Sequence, residues 1–172
     1  VWTRRGPVSS PHGKRRLIDK ESARWLDTAE QAKRTLAAAR LITVIDDREG
    51  DFYAHWALTP APNVHLITRL MNDHAIVEGG TLRKALACQP VRATAVVQLR
   101  DRANRPARTA QLSLRFTSLA LKRPQDTPDK DLPPSLPVHV VEVFEPRPPK
   151  GADPLHWILI TTHTIDSIDA AW

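Results

Sequence analysis

The stretch LITVIDDREGD, residues 41–51, joins a short β-branched apolar segment to a cluster of four carboxylates. The apolar half, residues 41–45, has the composition of a strand that is buried on both faces. The acidic half then lies at the carboxyl end of a strand, where open α/β sheets form their binding sites. Clustered carboxylates suit Mg²⁺ or Mn²⁺. The alternative is an acidic loop that caps the next helix, with Asp51 as its N-cap and Arg48 paired locally.

The segments around this stretch alternate between helix and strand patterns. A helix is predicted over residues 22–40, because apolar residues recur there at a spacing of three to four. A short helix over residues 52–58 and a strand over residues 64–69 follow the acidic cluster. This order of elements is typical of an α/β layer with a mainly parallel sheet.

The pattern changes after about residue 73 and becomes typical of β structure. Residues 110–116 alternate between apolar and polar side chains, as in a strand with one face in water. The remaining predicted elements are a short helix at 81–87, strands at 91–99, 138–144 and 155–162, a turn at 101–106, a Pro/Asp loop at 124–137 and a helix that begins near 166. We therefore predict an antiparallel β unit over residues 90–162.

The composition excludes several classes of protein. The chain has 172 residues, of which 41% are hydrophobic and 26% charged, so a wholly disordered protein is excluded. No apolar run approaches the roughly 20 residues that cross a bilayer, and no secretory signal pattern opens the chain. The single cysteine, Cys88, cannot form an internal disulfide and fits a reducing cytoplasm.

The charge of the chain points to a polyanionic partner. The formal net charge is +6, and residues 83–123 hold ten basic side chains against one acidic side chain, Asp101. Such a segment is able to follow a phosphate backbone. The alternative is a solvated basic face that contributes only to solubility. The seven histidines show no metal-ligand spacing.

Five blocks of the sequence, taken in order, are similar to segments of one protein family. They are KESARW at 20–25, VIDDREGD at 44–51, HLITR at 65–69, RPARTAQLSLR at 105–115 and PPKGADPLHWILIT at 148–161. Together they resemble the bacterial cut-and-paste DDE transposases of the insertion-sequence-four family, in the central part of the catalytic domain. The block at 44–51 is similar to the motif that carries the second catalytic carboxylate of that family.

The resemblance implies an α/β fold in which an incomplete RNase H-like core is interrupted by an antiparallel β insertion. The corresponding boundaries are a basic loop or linker at 1–18, part of the core at 19–73, the β-rich insertion at 74–163 and the start of a returning helix at 164–172. The implied activity is DNA transposition. In that chemistry two divalent metals, Mg²⁺ or Mn²⁺, are held by two Asp and one Glu and activate water or a 3′-hydroxyl for attack on a phosphodiester. The implied partner is double-stranded DNA at transposon ends, with no membrane partner. The full-length enzyme is expected to be a homodimer in the bacterial cytoplasm, at the nucleoid.

The resemblance also assigns roles to single positions. Asp47 is the second Asp of the triad and a metal ligand, whereas Asp46 stands where the family usually has a non-acidic residue. The residues expected to orient Asp47 or cap the next helix are Arg48, Glu49 and Asp51. The residues expected to bind DNA are Arg69, Arg105, Arg108, Arg115 and Trp157. Trp157 would stack on a base flipped out of the duplex, and the alternative is a core Trp within a strand.

Two carboxylates of the implied triad have no matching position in this sequence. The first Asp is expected on a strand that precedes residue 1, and the Glu in a Tyr-x2-Arg-x3-Glu-x6-Lys helix that follows residue 172. We therefore expect the chain to be inactive on its own, as a fragment of a transposase. The alternatives are a non-catalytic DNA-binding remnant of a decayed mobile element and a different RNase H-like nuclease, which need not carry the β insertion.

Overall fold

The fold is described from a computed structural model for residues 22–101, 106–127 and 129–172. The predicted basic loop at 1–18 and most of the predicted turn at 101–106 lie outside these residues. The helices are α1 (Ala23–Thr35), α2 (Tyr53–Leu58), α3 (Leu82–Ala87) and α4 (Ile168–Ala171), with a 3-10 helix at Arg48–Gly50. The strands are β1 (Ile42–Asp46), β2 (Val64–Arg69), β3 (Ala93–Leu99), β4 (Arg108–Lys122), β5 (Ser135–Phe144) and β6 (His156–Thr161).

The six strands form one mixed sheet in the order β1-β2-β6-β5-β4-β3. β1 and β2 are parallel, and every other neighbouring pair is antiparallel. The predicted parallel arrangement of the first two strands is confirmed, as is the predicted antiparallel β unit over residues 90–162, and the two parts form one mixed sheet. Of the neighbouring pairs, only β1 and β2 are joined through a helix, α2, whereas β3, β4, β5 and β6 follow one another as antiparallel neighbours. Because β6 pairs with β2, the strands predicted as an insertion continue the sheet of the predicted core strands.

β1 lies at one edge of the described sheet and is not buried on both faces. Ile42 is buried, but Ile45 is 73% exposed. The alternation of side chains along a strand sets this contrast, because Ile42, Val44 and Asp46 point to one face and Ile45 and Asp47 point to the other. The prediction of a doubly buried strand is wrong, since an apolar run in the sequence does not distinguish an edge strand from a central one.

The hydrophobic core lies between one face of the sheet and helices α2 and α3. β2 gives Leu66 and β6 gives Ile160, both fully buried, and they lie in one cluster with Trp56 of α2 and Leu82 and Leu86 of α3. In β2, buried and partly exposed residues alternate strictly from Val64 to Arg69. Burial of the apolar face of β2 therefore fixes the register of the strand that leads to Arg69.

Two elements differ in length from the sequence prediction. Helix α1 ends at Thr35 instead of residue 40. Since Leu36 is 48% exposed, the chain buries no additional apolar surface by continuing the helix. Strand β4 is 15 residues long, and β5 begins at Ser135, inside the predicted loop at 124–137. The two strands pair from Lys122 opposite Ser135 to Ser113 opposite Phe144, and this pairing extends both of them.

Among the described residues, none of the helices combines the length and the apolar composition that a bilayer crossing requires.

Candidate functional site

Asp47 and Arg69 meet at the carboxyl ends of the two parallel strands. Asp47 directly follows β1, and Arg69 is the last residue of β2. The Asp47 side chain is 74% exposed, and its Oδ1 lies 3.9 Å from Nη1 of Arg69. The parallel pairing explains the meeting, because Asp46 is opposite Thr68 and the following residues leave the same edge of the sheet. A solvent-facing carboxylate and a guanidinium are thus held side by side by the sheet.

Asp46 has the opposite environment. Its side chain is 5% exposed, and its Oδ2 lies 2.6 Å from Nε2 of the fully buried His55. Nδ1 of the same ring lies 2.7 Å from the hydroxyl of Thr59, which is also buried. These three groups connect the end of β1 to both ends of α2. Asp46 is therefore a buried carboxylate that is bonded within the protein.

Gly50 lies tightly against Asp46. A Cβ at position 50 would be 2.6 Å from Cβ of Asp46 and 3.1 Å from its Cγ. Only a glycine permits this approach between the 3-10 helix and β1. The close packing holds Asp46 in contact with His55 and fixes the turn that presents Asp47 and Arg48.

Asp51 fixes the chain after β2 and does not cap α2. Its side chain is fully buried. It accepts hydrogen bonds from the backbone N–H groups of Met71 and Asn72, the latter at 2.7 Å, and contacts Nε2 of His74 at 2.8 Å. The N-cap of α2 is Phe52, with no side-chain cap, so the alternative in which Asp51 is the N-cap is wrong. Asp51 instead holds the segment next to Arg69.

Arg48 and Glu49 are both exposed in the 3-10 helix. Glu49 forms an ion pair with Arg24 of α1. Among the described residues, no carboxylate forms an ion pair with Arg48. The expected local pairing of Arg48 is therefore not found among the described residues, and its charge faces solvent beside Asp47.

A cavity of about 120 Å³ opens next to Asp47. It is lined by residues of the 3-10 helix, the end of β2, α3 and β6: Arg48, Arg69, Leu70, Arg83, His156 and Ile158. Leu70 and Ile158 are buried, and a hydrogen bond of 2.8 Å between the Leu70 N–H and the Ile158 carbonyl joins the two strands there. Three arginines and a histidine thus contribute to the lining, and the surface that the cavity exposes is almost entirely polar.

His156 is held at this cavity by a buried glutamate. Glu142 of β5 is 5% exposed and accepts hydrogen bonds from Nε of Arg115 and, at 2.7 Å, from Nε2 of His156. Arg115 also donates from Nη1 to the carbonyl of Ala87 at 2.9 Å. Arg115 was predicted to bind DNA. In the structure the Arg115 side chain is 18% exposed, and its guanidinium neutralises Glu142. Through Glu142 it holds His156, which lines the cavity.

Arg108 is paired in the same way. It forms a bidentate ion pair with Glu145, in which Nη2 of Arg108 lies 2.7 Å from Oε2 of Glu145. Both side chains are largely buried. These hydrogen bonds lower the pKa of Glu145 below its ordinary value and raise that of Arg108. The geometry leaves little of the Arg108 guanidinium for a DNA phosphate. Arg105, the third basic residue predicted in this segment, lies outside the described residues.

Trp157 is exposed, in contrast to the alternative of a core Trp. It lies on β6 opposite Val143, with 48% of its surface accessible. The neighbouring positions, Ile158 and Ile160, are buried. Strand alternation explains how one apolar strand buries its isoleucines and presents the indole.

The described carboxylates do not form a divalent metal site by themselves. Asp46 and Asp51 are buried and bonded within the protein, and Glu49 pairs with Arg24. In the part of the chain that the structure describes, no three His, Cys, Asp or Glu side chains are grouped to hold a metal ion. Asp47 is exposed and lies 3.9 Å from Arg69.

Sequence reasoning missed Arg83, His156, Glu142 and His55 as contributors to this region. Glu142 carried a usable signal, since it is an isolated acid in a predicted apolar strand and the preceding segment, residues 83–123, is strongly basic. His55 carried none, because its partner Asp46 is recognisable only once the side-chain directions along β1 are known. No protein-family model matches the sequence.

Proposed function

We propose that the chain is the central part of a DNA transposase and that it contacts DNA at the ends of β1 and β2. The observation that carries the proposal is the pair Asp47 and Arg69, an exposed carboxylate 3.9 Å from a guanidinium at the carboxyl ends of two parallel strands. Arginine suits a backbone phosphate in both charge and geometry. A carboxylate beside a bound phosphate is where a phosphodiester-cutting enzyme needs a metal ligand.

The arrangement of elements supports the same proposal. A parallel pair joined through α2 is followed by an antiparallel run that returns to β2. This order is compatible with an RNase H-like core interrupted by a β insertion, which we propose as the fold. Arg48 and Arg83 add positive charge on the cavity next to Arg69. The full-length enzyme is proposed to be a homodimer in the bacterial cytoplasm, at the nucleoid.

Catalysis is proposed for the complete enzyme and not for this chain alone. Mg²⁺ or Mn²⁺ would supply the activated nucleophile and would need carboxylates in addition to Asp47. What the described residues contribute is positioning. Arg69 and Arg48 would hold the phosphate, Asp47 would face it, and the Asp46–His55 pair would keep the turn in place. We expect no Mg²⁺-dependent cleavage by this chain; cleavage that is lost in Asp47→Asn would contradict the incompleteness of the site.

Salt-dependent DNA binding tests the proposal. Fluorescence anisotropy of a labelled duplex is measured from low to high salt for the wild type, Arg69→Gln and Arg34→Gln. Arg34 is an exposed arginine in the last turn of α1 and serves as the matched control. Log affinity falls with log salt, and loss of one phosphate contact makes this negative slope shallower by about 0.9. We expect this change for Arg69→Gln only, and equal slopes for all three proteins would count against the proposal.

Trp157 offers a second test on the same surface. Stacking of one unpaired base on an indole is worth about 1–3 kcal/mol. Trp157→Ala is expected to weaken binding to a duplex with an unpaired base by this amount and to change binding to a plain duplex much less. Equal losses on the two substrates would assign Trp157 a structural role.

A non-catalytic DNA-binding remnant is the second candidate, and it shares the exposed Arg69 and Trp157 with the first. The coding DNA on both sides of this stretch separates the two. An in-frame Asp at the end of an upstream strand and a downstream Tyr-x2-Arg-x3-Glu-x6-Lys helix would support the enzyme. Stop codons or a frameshift on either side would support the remnant.

A further inference from the structure

We propose that the cavity beside Asp47 is a binding site for a dianionic phosphate group, such as the terminal phosphate of a DNA strand. Its walls carry the guanidinium groups of Arg48, Arg69 and Arg83, which come from three different elements. The inference deepens the proposed function and rests on it only for the identity of the molecule that carries the phosphate.

The size of the cavity selects a small anion. Its volume is about 120 Å³, whereas pockets for drug-sized ligands measure roughly 300–1,000 Å³. By this comparison the cavity matches the size of a small anion better than that of a whole nucleotide. A sugar or base attached to the phosphate would remain outside.

The charge of the cavity favours a dianion over a diester. Three arginines on the lining contribute +3, while Asp47, 3.9 Å from Arg69, and Asp73, which accepts from the Arg83 N–H, lie outside the lining. A phosphate monoester carries about −1.5 to −2 at pH 7 and therefore neutralises more of this positive lining than a diester does. A backbone phosphodiester carries one negative charge. Arginine is also the side chain whose geometry allows two parallel hydrogen bonds to one phosphate.

The walls are fixed before a ligand arrives. The backbone N–H of Arg83 donates to the carboxylate of Asp73 at 3.0 Å, which ties α3 to the loop after β2. His156 is held by Glu142, and Glu142 is neutralised by Arg115. Hydrogen bonds therefore hold the backbone and the supporting side chains around the cavity in place. Binding then requires ordering of the ends of the arginine side chains only.

Calorimetric titration at constant ionic strength tests the site with two small probes. Inorganic phosphate represents the dianion and dimethyl phosphate represents the diester. We expect phosphate to bind at least about 10-fold more tightly than dimethyl phosphate, as charge-assisted hydrogen bonds require. Arg83→Ala is expected to remove most of this affinity, whereas Lys84→Ala, an equal change of charge at the next residue of α3 and outside the cavity, is expected to leave it within about two-fold.

Two duplexes then identify the source of the phosphate. One carries a 5′-phosphate and the other a 5′-hydroxyl. Tighter binding of the phosphorylated duplex that disappears in Arg83→Ala supports a strand end as the ligand. The two duplexes could instead bind equally while inorganic phosphate still binds in an Arg83-dependent way. That result supports the same cavity as a site for a free phosphate compound rather than for a strand end.

The proposal is overturned if neither phosphate probe depends on Arg83, or if dimethyl phosphate binds as tightly as inorganic phosphate. Its failure is distinguishable from failure of the proposed function. The affinity for the 5′-hydroxyl duplex measures DNA binding through Arg69. The additional affinity that the 5′-phosphate gives measures binding of the phosphate in the cavity. Duplex binding without the increment would remove the cavity proposal alone.

Discussion

The contact between Asp46 and His55 is expected to be one of the most strongly coupled pairs in the protein. Nε2 of His55 and Oδ2 of Asp46 are 2.6 Å apart, and the two side chains are 0% and 5% exposed. In His55→Ala the carboxylate of Asp46 remains buried and loses its partner. Removal of one member of a buried pair costs about 3–5 kcal/mol, a large part of the 5–15 kcal/mol that holds a typical domain together.

A double-mutant cycle isolates this interaction. Free energies of unfolding are measured by urea titration, with tryptophan fluorescence as the signal, for Asp46→Ala, His55→Ala and the double variant. In the double variant no charge remains buried, so its cost is expected to fall below the sum of the single costs by about 0.5–3 kcal/mol. His65→Ala, at a half-buried histidine of β2, serves as a control for the loss of an imidazole. Additive costs within about 0.5 kcal/mol would refute the coupling.

Three further predictions concern the framework around the site. Gly50→Ala is expected to destabilise the fold by about 1–3 kcal/mol, measured by urea unfolding, because its new Cβ would lie 2.6 Å from that of Asp46; an unchanged midpoint would contradict this packing. Leu66→Ala, at a fully buried position of β2, is expected to cost about 2–5 kcal/mol, and Leu36→Ala, at a 48% exposed position, less than about 0.5 kcal/mol. Because the pKa of Glu145 is lowered in the folded state, its ionised form stabilises the fold above its ordinary value of 4.5, and this stabilisation is lost as the pH falls through the lowered pKa. The difference in thermal midpoint between wild type and Glu145→Gln is therefore expected to be larger at pH 7 than below pH 4.5, and a difference independent of pH would argue against the ion pair with Arg108.

The local elements of the fold were predictable where one pattern dominates. Strand β2 has the predicted bounds of 64–69, and α2 begins one residue after the predicted start of its helix. Alternation in β2 and a compact apolar helix are local signals, and burial of Leu66 and Trp56 reinforces them. The extension of β4 and β5 was not predictable in this way, because it depends on pairing between residues 13 to 17 positions apart, from Lys122 with Ser135 to Ala120 with Pro137.

The sequence pointed to Asp47 and Arg69 of the candidate site, but not to the residues that surround them. The resemblance names Asp47 and Arg69 separately, one after a predicted strand and one at the end of the next. Their contact follows only from the parallel pairing of β1 and β2. The sequence does not reveal that Glu142 lies directly opposite Arg115 in the sheet, a register set only when β4 and β5 pair. The basic segment therefore suggested more DNA-binding arginines than the geometry leaves accessible, since Arg108 and Arg115 neutralise buried glutamates.

The central claim is that DNA meets this chain at the carboxyl ends of β1 and β2. Amide chemical shifts recorded with and without a short duplex test it most directly. The account predicts that the largest shifts cluster at residues 47–50, at Arg69 and at the neighbouring residues 156–157 of β6. Shifts spread along β3 and β4, with Asp47 and Arg69 unchanged, would contradict it and would place the DNA on the basic strands instead.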